Sequence, residues 1–182
     1  MHKKSQTWVT EFLLSFLIFS SAILLSVKLM TNAYTSDNFD VLLKESEYTS
    51  NALLSAGYPY NWTNSTIIRL GLVTSNTIDS QKLASLYNMD YQTSKKYLNA
   101  NYDYFFFLTY NNTILNIFNM ANSTNSSVNV CGYGYSGVNQ SYYNGTCHVS
   151  VSGLNYAKLV KFNRLVVFNN SITTLNLYMW SK

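Results

Sequence analysis

The sequence predicts an α+β chain: a long apolar helix at the amino terminus, then a head in which helices come first and an antiparallel sheet follows. Three observations predict it. Residues 8–30 are apolar apart from a few hydroxyls and two charges, Glu11 and Lys28. Phe39, Leu42, Leu43, Ala52, Leu53 and Ala56 then recur at helical spacing. The last part of the chain sets aromatic and β-branched runs on either side of Asn-Asn pairs, the pattern of strands joined by tight turns.

The twenty-three residues from Trp8 to Met30 make a helix of about 34 Å at ~1.5 Å per residue, enough to cross a hydrocarbon core of ~30 Å. Lys3 and Lys4 precede the segment, and Asp37 and Asp40 follow it. The positive-inside rule therefore places the first residues in the cytoplasm and the remainder outside, as a single-pass membrane protein. The expected division is a basic leader over 1–6, a transmembrane helix over 7–35 and an extracellular head over 36–182. Gly and Pro are absent from residues 8–30, so no kink is expected there.

Beyond Met30 the polar stretch "TNAYTSDNFD" marks the exit from the bilayer. The amphipathic helix that follows carries Lys44, Glu45 and Glu47 off its apolar face, and covers a sheet. Gly57 and Pro59 end it, one by accepting a left-handed conformation, the other by refusing to continue a helix. A short strand is expected around Ile67 to Val73. Asp79 caps a helix from Ser80 to about Asn88, with Leu83 and Leu86 inward, and Asp90 caps another from Tyr91 to about Asn99. These two form a small helical insertion. "YDYFFFLTY" and "TILNIF" flank Asn111-Asn112, and "KLVKFNRLVVF" and "SITTLNLYMW" flank Asn169-Asn170. Asn tolerates the positive φ of two-residue hairpin turns, so each pair of runs reads as a hairpin. "CHVSVSG" supplies one more strand.

Charged residues make up only 11% of the chain while sixteen tyrosines, with Asn, Ser and Thr, supply its polarity. A neutral, hydrogen-bonding surface of this kind suits an extracellular face. The net charge of +4 is dispersed rather than striped, which argues against nucleic acid as a partner.

Glu11 needs an explanation, because a carboxylate at the bilayer centre costs roughly 2.5–3.5 kcal/mol on insertion scales. A secretory signal cut after "TNA" at Ala33, or a plain signal anchor, leaves it as pure cost. A glutamate held shallow enough to reach the inner headgroups is a further reading. In "KKSQTWVTEFLL" a basic leader, a few polar residues and a glutamate precede an unbroken apolar helix. That order resembles the leader of archaeal type IV pilin-like proteins. The resemblance implies cleavage by a prepilin peptidase within Ser5, Gln6 and Thr7, either before or after Gln6. It also implies extraction of the helix by pilus assembly machinery into a filament core, with copies of this chain or other pilin-like subunits as partners. Glu11 would then pair with the α-amine freed on a neighbouring subunit and set the register between them. "NALLSAGYPYNWT", "RLGLV", the Tyr-rich strand and the last strand ending in Trp resemble the exterior domains of pilin-like proteins of small-genome archaea.

Cys131 and Cys147 both fall in the exterior part. A disulfide between them closes a loop of about 17 residues and contributes roughly 3 kcal/mol by chain entropy; two free buried thiols are the alternative. Acceptor motifs for N-glycosylation occur at Asn61, Asn64, Asn111, Asn122, Asn125, Asn139, Asn144 and Asn169. Their bias toward turns is also what the turn chemistry of Asn produces. Tyr133, Tyr135, Tyr142 and Tyr143 lie within the stapled loop. They either stack on sugars, giving a glycan or cell-surface contact, or pack the loop onto its own sheet.

No catalytic, cofactor or metal signature is present. The two histidines, His2 and His148, stand apart, and no carboxylate cluster accompanies the cysteines. "CGYGYSG" lacks the Lys and following helix of a phosphate loop. The expectation is a non-enzymatic filament subunit, major or minor, or a membrane-anchored adhesin that never polymerises.

Overall fold

The computed structural model describes the backbone of residues 3–117 and 130–182, with the side chains of these apart from 3–7 and 32–38. The chain forms two compact units, Met1–Val41 and Leu42–Lys182. The class is α+β, as the sequence predicts.

Helix α1 runs from Lys3 to Leu53, so the membrane-length segment and the expected amphipathic helix belong to one element. Neither Gly nor Pro occurs between Trp8 and Ala56, and a helix once nucleated extends cheaply through polar residues that do not break it. Within the second unit, the buried face of α1 differs from the expected one. Leu43 is exposed, whereas Leu42, Ser46, Thr49, Ser50 and Leu53 are buried, and Phe39 falls in the first unit. These five follow the helical step more closely than the large apolar residues do. Small hydroxyl side chains let the helix approach closely, while the bulk comes from Tyr104, Phe106, Leu108, Leu175 and Leu177 in the same core.

Past α1, Gly57 takes φ +73°. The expected strand at Ile67–Val73 does not form as a regular strand. The chain there crosses back against the segment leaving α1: Tyr58 N donates to Arg69 O (2.8 Å), Leu72 N to Leu53 O (2.8 Å) and Val73 N to Ser55 O (3.0 Å). Only Val73–Thr74 is regular enough to count as β1, and it turns through Ser75 and Asn76, both at positive φ, into β2 (Thr77–Ile78). Helices α2 (Ser80–Tyr87) and α3 (Tyr91–Tyr97) start where expected. The Asp79 carboxylate accepts from Gln81 N and Lys82 N, and that of Asp90 from Thr93 N.

Strands β3 (Asp103–Tyr110), β4 (Thr113–Ile114), β5 (Tyr133–Gly134), β6 (Asn139–Tyr143), β7 (Thr146–Ser150), β8 (Lys158–Phe168) and β9 (Ser171–Ser181) complete one sheet. Its order is β1-β2-β8-β9-β3-β4-β7-β6, with β5 also pairing with β3. Both expected hairpins form, with Asn111, Asn112, Asn169 and Asn170 all at positive φ. The sheet is mixed rather than antiparallel, because β2 pairs parallel with β8 through Thr77 and Val167. Strand β8 has one edge left after pairing with β9, and the β1–β2 hairpin covers it.

Two further corrections concern the stapled loop. The run "TILNIF" is strand only over Thr113–Ile114 and not over 115–117, and Phe118 lies outside the described residues; β5 takes over the same edge of β3 lower down, where a Cβ on Gly134 would strike the Tyr104 and Phe105 backbone. The loop is also not bare of core. Its β6 pairs with β7, the expected "CHVSVSG" strand, and its Val138 packs with Phe105, Phe107 and Trp180.

Candidate functional site

Helix α1 presents one apolar surface over Trp8–Thr31, twenty-four residues long enough and apolar enough to cross a membrane. Leu13, Leu14, Phe16, Ile18 and Phe19 point in directions spaced round the full helical turn, and all are exposed. A helix apolar on every side requires an apolar surround, either lipid or other helices. Glu11 is its one acidic residue; it is exposed and makes no ion pair among the described residues. Ser5, Gln6 and Thr7 are helical in backbone, and their side chains lie outside the described residues.

In the head, Cys131 and Cys147 form the expected disulfide, with Cα atoms 5.4 Å apart. Both are buried, and Cys147 ties β7 to the chain entering β5. Replacing both with Ala is expected to lower head stability by about 3 kcal/mol. Urea unfolding of the full chain in detergent, with and without the bridge, measures it.

The four loop tyrosines divide. Tyr133 is buried, and its hydroxyl donates to Met89 O at 3.0 Å. The Tyr135 ring sits edge-on to Tyr91 and Trp180, at centroid distances of 6.1 and 5.8 Å. These two pack the loop onto the sheet. Tyr142 and Tyr143 are exposed on β6. Next to them a groove of about 520 Å³ is lined by Ile114, Asn139, Gln140, Ser141, His148, Val149 and Ser150. Its wall combines amide, hydroxyl and imidazole groups with apolar surface from Ile114 and Val149, chemistry that suits a neutral ligand with both hydrogen-bonding and apolar faces.

Six of the acceptor asparagines, Asn61, Asn64, Asn111, Asn139, Asn144 and Asn169, are exposed; Asn122 and Asn125 lie outside the described residues. Thr109 pairs with Thr174 between β3 and β9, which brings the Asn111 and Asn169 turns to one end of the sheet. At the other end, the Glu45 carboxylate on α1 accepts from Asn101 Nδ2 and Tyr102 N, each at 3.0 Å, just before β3.

Two charged clusters were not foreseen. Lys82 is buried on α2, and its ammonium donates to Ala56 O (2.8 Å) and Val73 O (3.1 Å) while lying 4.8 Å above the Tyr60 ring. It clamps the chain leaving α1 to β1. Asp103, at the start of β3, pairs with Lys95 (3.0 Å) and Lys182 (2.9 Å) and accepts from the Tyr91 hydroxyl (3.0 Å). Burial pushes its carboxyl up, but the hydrogen bonds from Lys182, Lys95 and Tyr91 outweigh burial and hold it below the ordinary 3.8. Burial, with Asp103 beside it, pushes the Tyr91 phenol far up, so it stays a donor. A carboxylate with a depressed folded pKa stabilises the fold above its unfolded value, and that stability is lost as pH falls through the folded pKa. Head stability is therefore expected to drop as pH falls from about 4 downward, and Asp103→Asn to flatten that part of the curve. Thermal melts between pH 2 and 7 check it.

Among the described residues, no three His, Cys, Asp or Glu side chains gather as metal ligands would. No protein-family model, curated protein or solved structure matches this chain.

Proposed function

We propose that this chain is a structural subunit of an archaeal type IV pilus-like surface filament. The observation that carries the reading is the apolar helix Trp8–Thr31, exposed on all sides and bearing a lone carboxylate, Glu11, near its start. Lys3 and Lys4 precede it, as a leader read on the cytoplasmic side requires. In this reading the chain inserts once across the cell membrane, with its head outside. A peptidase cuts within Ser5–Gln6–Thr7, and the helices leave lipid for a filament core that buries the same apolar surface. The freed α-amine and Glu11 of neighbouring subunits compensate each other in that core, where either charge alone is costly.

The disulfide and the neutral, Asn-rich surface fit an exterior head, because disulfides persist in oxidising surroundings. Sugars on exposed acceptors such as Asn111 and Asn169 fit the same location. A second reading, a membrane-anchored adhesin that does not polymerise, draws on exposed Tyr142 and Tyr143 beside the groove at His148. Tyrosine rings there offer stacking surface to sugar rings.

Mass measurement of the mature amino terminus, with negative-stain imaging of cells that have and lack the chain, tests the choice. A terminus at Gln6 or Thr7 and fibres that depend on the chain are expected. An intact leader without fibres leaves the adhesin, and a terminus after Ala33 makes the product a soluble secreted protein.

A further inference from the structure

The two edges of the sheet are finished differently. At one end β1 is two residues long, a short edge that offers little to pair with. At the other end β6 offers five residues, Asn139–Tyr143, all exposed. "NQSYY" holds no charge and no proline, so the usual devices that keep an edge from pairing are missing.

The register says which backbone groups are open. The two-residue Asn144-Gly145 turn makes Tyr143 and Thr146 a hydrogen-bonded pair, and the alternation of an antiparallel ladder makes Ser141–His148 and Asn139–Ser150 the next such pairs. The N–H and C=O of Gln140 and Tyr142 therefore point away from β7. No described residue is hydrogen-bonded to them.

We propose that β6 pairs antiparallel with β6 of a second copy of this chain, about a two-fold axis at Ser141. The edge fits itself in that register. Gln140 lies opposite Tyr142 of the second copy and exchanges both backbone hydrogen bonds with it, and the symmetry repeats the exchange, so all four outward groups on each strand are used. Asn139 lies opposite Tyr143 of the second copy, amide against phenol. No like charges meet anywhere along the pair. The outcome is one sheet continuous through two heads, and the two-fold axis closes it at two copies. A strand of this length pairs weakly in dilute solution, so the contact depends on surface density. The contact does not depend on whether copies also associate through α1.

The test uses the full chain and residue-resolved hydrogen exchange at Gln140 and Tyr142. Vesicles of neutral phospholipid loaded at high density are compared with nanodiscs holding one copy each. Exchange at these two amides is expected to be roughly tenfold slower in the vesicles, with those of Asn139, Ser141 and Tyr143 equally protected in both. Gln140→Lys with Tyr142→Lys sets lysines opposite each other and should abolish the difference. Gln140→Lys with Tyr142→Glu sets Lys opposite Glu only in the antiparallel register, and should restore it. Tyr142→Pro removes an outward N–H without touching the β6–β7 bonds; with it the Gln140 difference should vanish, which covers the case where the lysine pair disturbs the hairpin. Three results overturn the proposal: equal exchange in both preparations, slow exchange already in single-copy nanodiscs, or no restoration by the Lys and Glu pair.

Discussion

For the proposed filament, changing Glu11 to Ala or Gln is expected to leave the chain in the membrane and abolish assembly. The two outcomes separate because the carboxylate acts oppositely in the two environments. In lipid it costs up to roughly 2.5–3.5 kcal/mol, less near the headgroups, so its removal makes insertion no harder. In the proposed filament core it would neutralise the α-amine that leader cleavage frees. Deleting one partner of a buried pair leaves the other uncompensated and costs roughly 3–5 kcal/mol. That weakens each subunit contact by on the order of a hundredfold to a few thousandfold. A helical assembly repeats the loss at every subunit, so fibres should vanish rather than shorten. Glu11→Asp keeps the charge but draws it back by one methylene, and should assemble at reduced yield. The measurement is fibre yield by imaging and pelleting, with membrane level and leader removal followed by immunoblot and mass. Fibres of normal number and regularity from Glu11→Ala would falsify the pairing.

The parts of this protein that were legible in its sequence are those written in local chemistry. The caps at Asp79 and Asp90 follow from side chains reaching amides two or three residues on. The hairpins at Asn111-Asn112 and Asn169-Asn170 follow from what positive φ demands of a side chain. The disulfide followed from two cysteines flanking a Gly-rich loop. What escaped was long-range. Leu43 looks like core by size, yet it is exposed while small Ser46, Thr49 and Ser50 are buried, because closeness of approach rather than side-chain volume selects that face. Lys82 reads as a solvated cation on α2 until the fold brings Ala56 O and Val73 O to it. Asp103 finds partners eight and seventy-nine residues away, at Lys95 and Lys182, and no spacing rule reports that. The parallel step from β2 to β8 depends on which edge was still open once β8 and β9 had paired.

Trp62→Ala should cause the largest loss of head stability of any single change in the crossing between the end of α1 and β1. The indole is 3% exposed, and its N–H donates to Gly71 O at 2.7 Å. Gly57, at φ +73°, lies so close that a Cβ there would meet Trp62 Cδ1 and Nε1 at 2.8 Å. A Cβ on Gly71 would strike the backbone of Gly57 and Ser55. The two strands of the crossing thus touch backbone to backbone, with the indole filling the space beside them. Truncation to Ala removes that filling, which costs roughly 3–5 kcal/mol for a buried aromatic. It also leaves the Gly71 carbonyl without its donor, about 1–3 kcal/mol more if water does not reach it, and the two losses overlap. Against a typical stability of roughly 5–15 kcal/mol, this brings the head near its folding threshold. Trp62→Phe keeps most of the volume and loses only the donor, so it should cost about 1–3 kcal/mol. Urea midpoints followed by near-ultraviolet circular dichroism of the tyrosines measure both variants. Hydrogen exchange at Leu72 and Val73, whose amides bond Leu53 O and Ser55 O, should rise with them. A loss below about 1 kcal/mol for Trp62→Ala would mean that the crossing holds without its indole, and that the Leu53–Leu72 and Ser55–Val73 bonds together with the Lys82 clamp suffice.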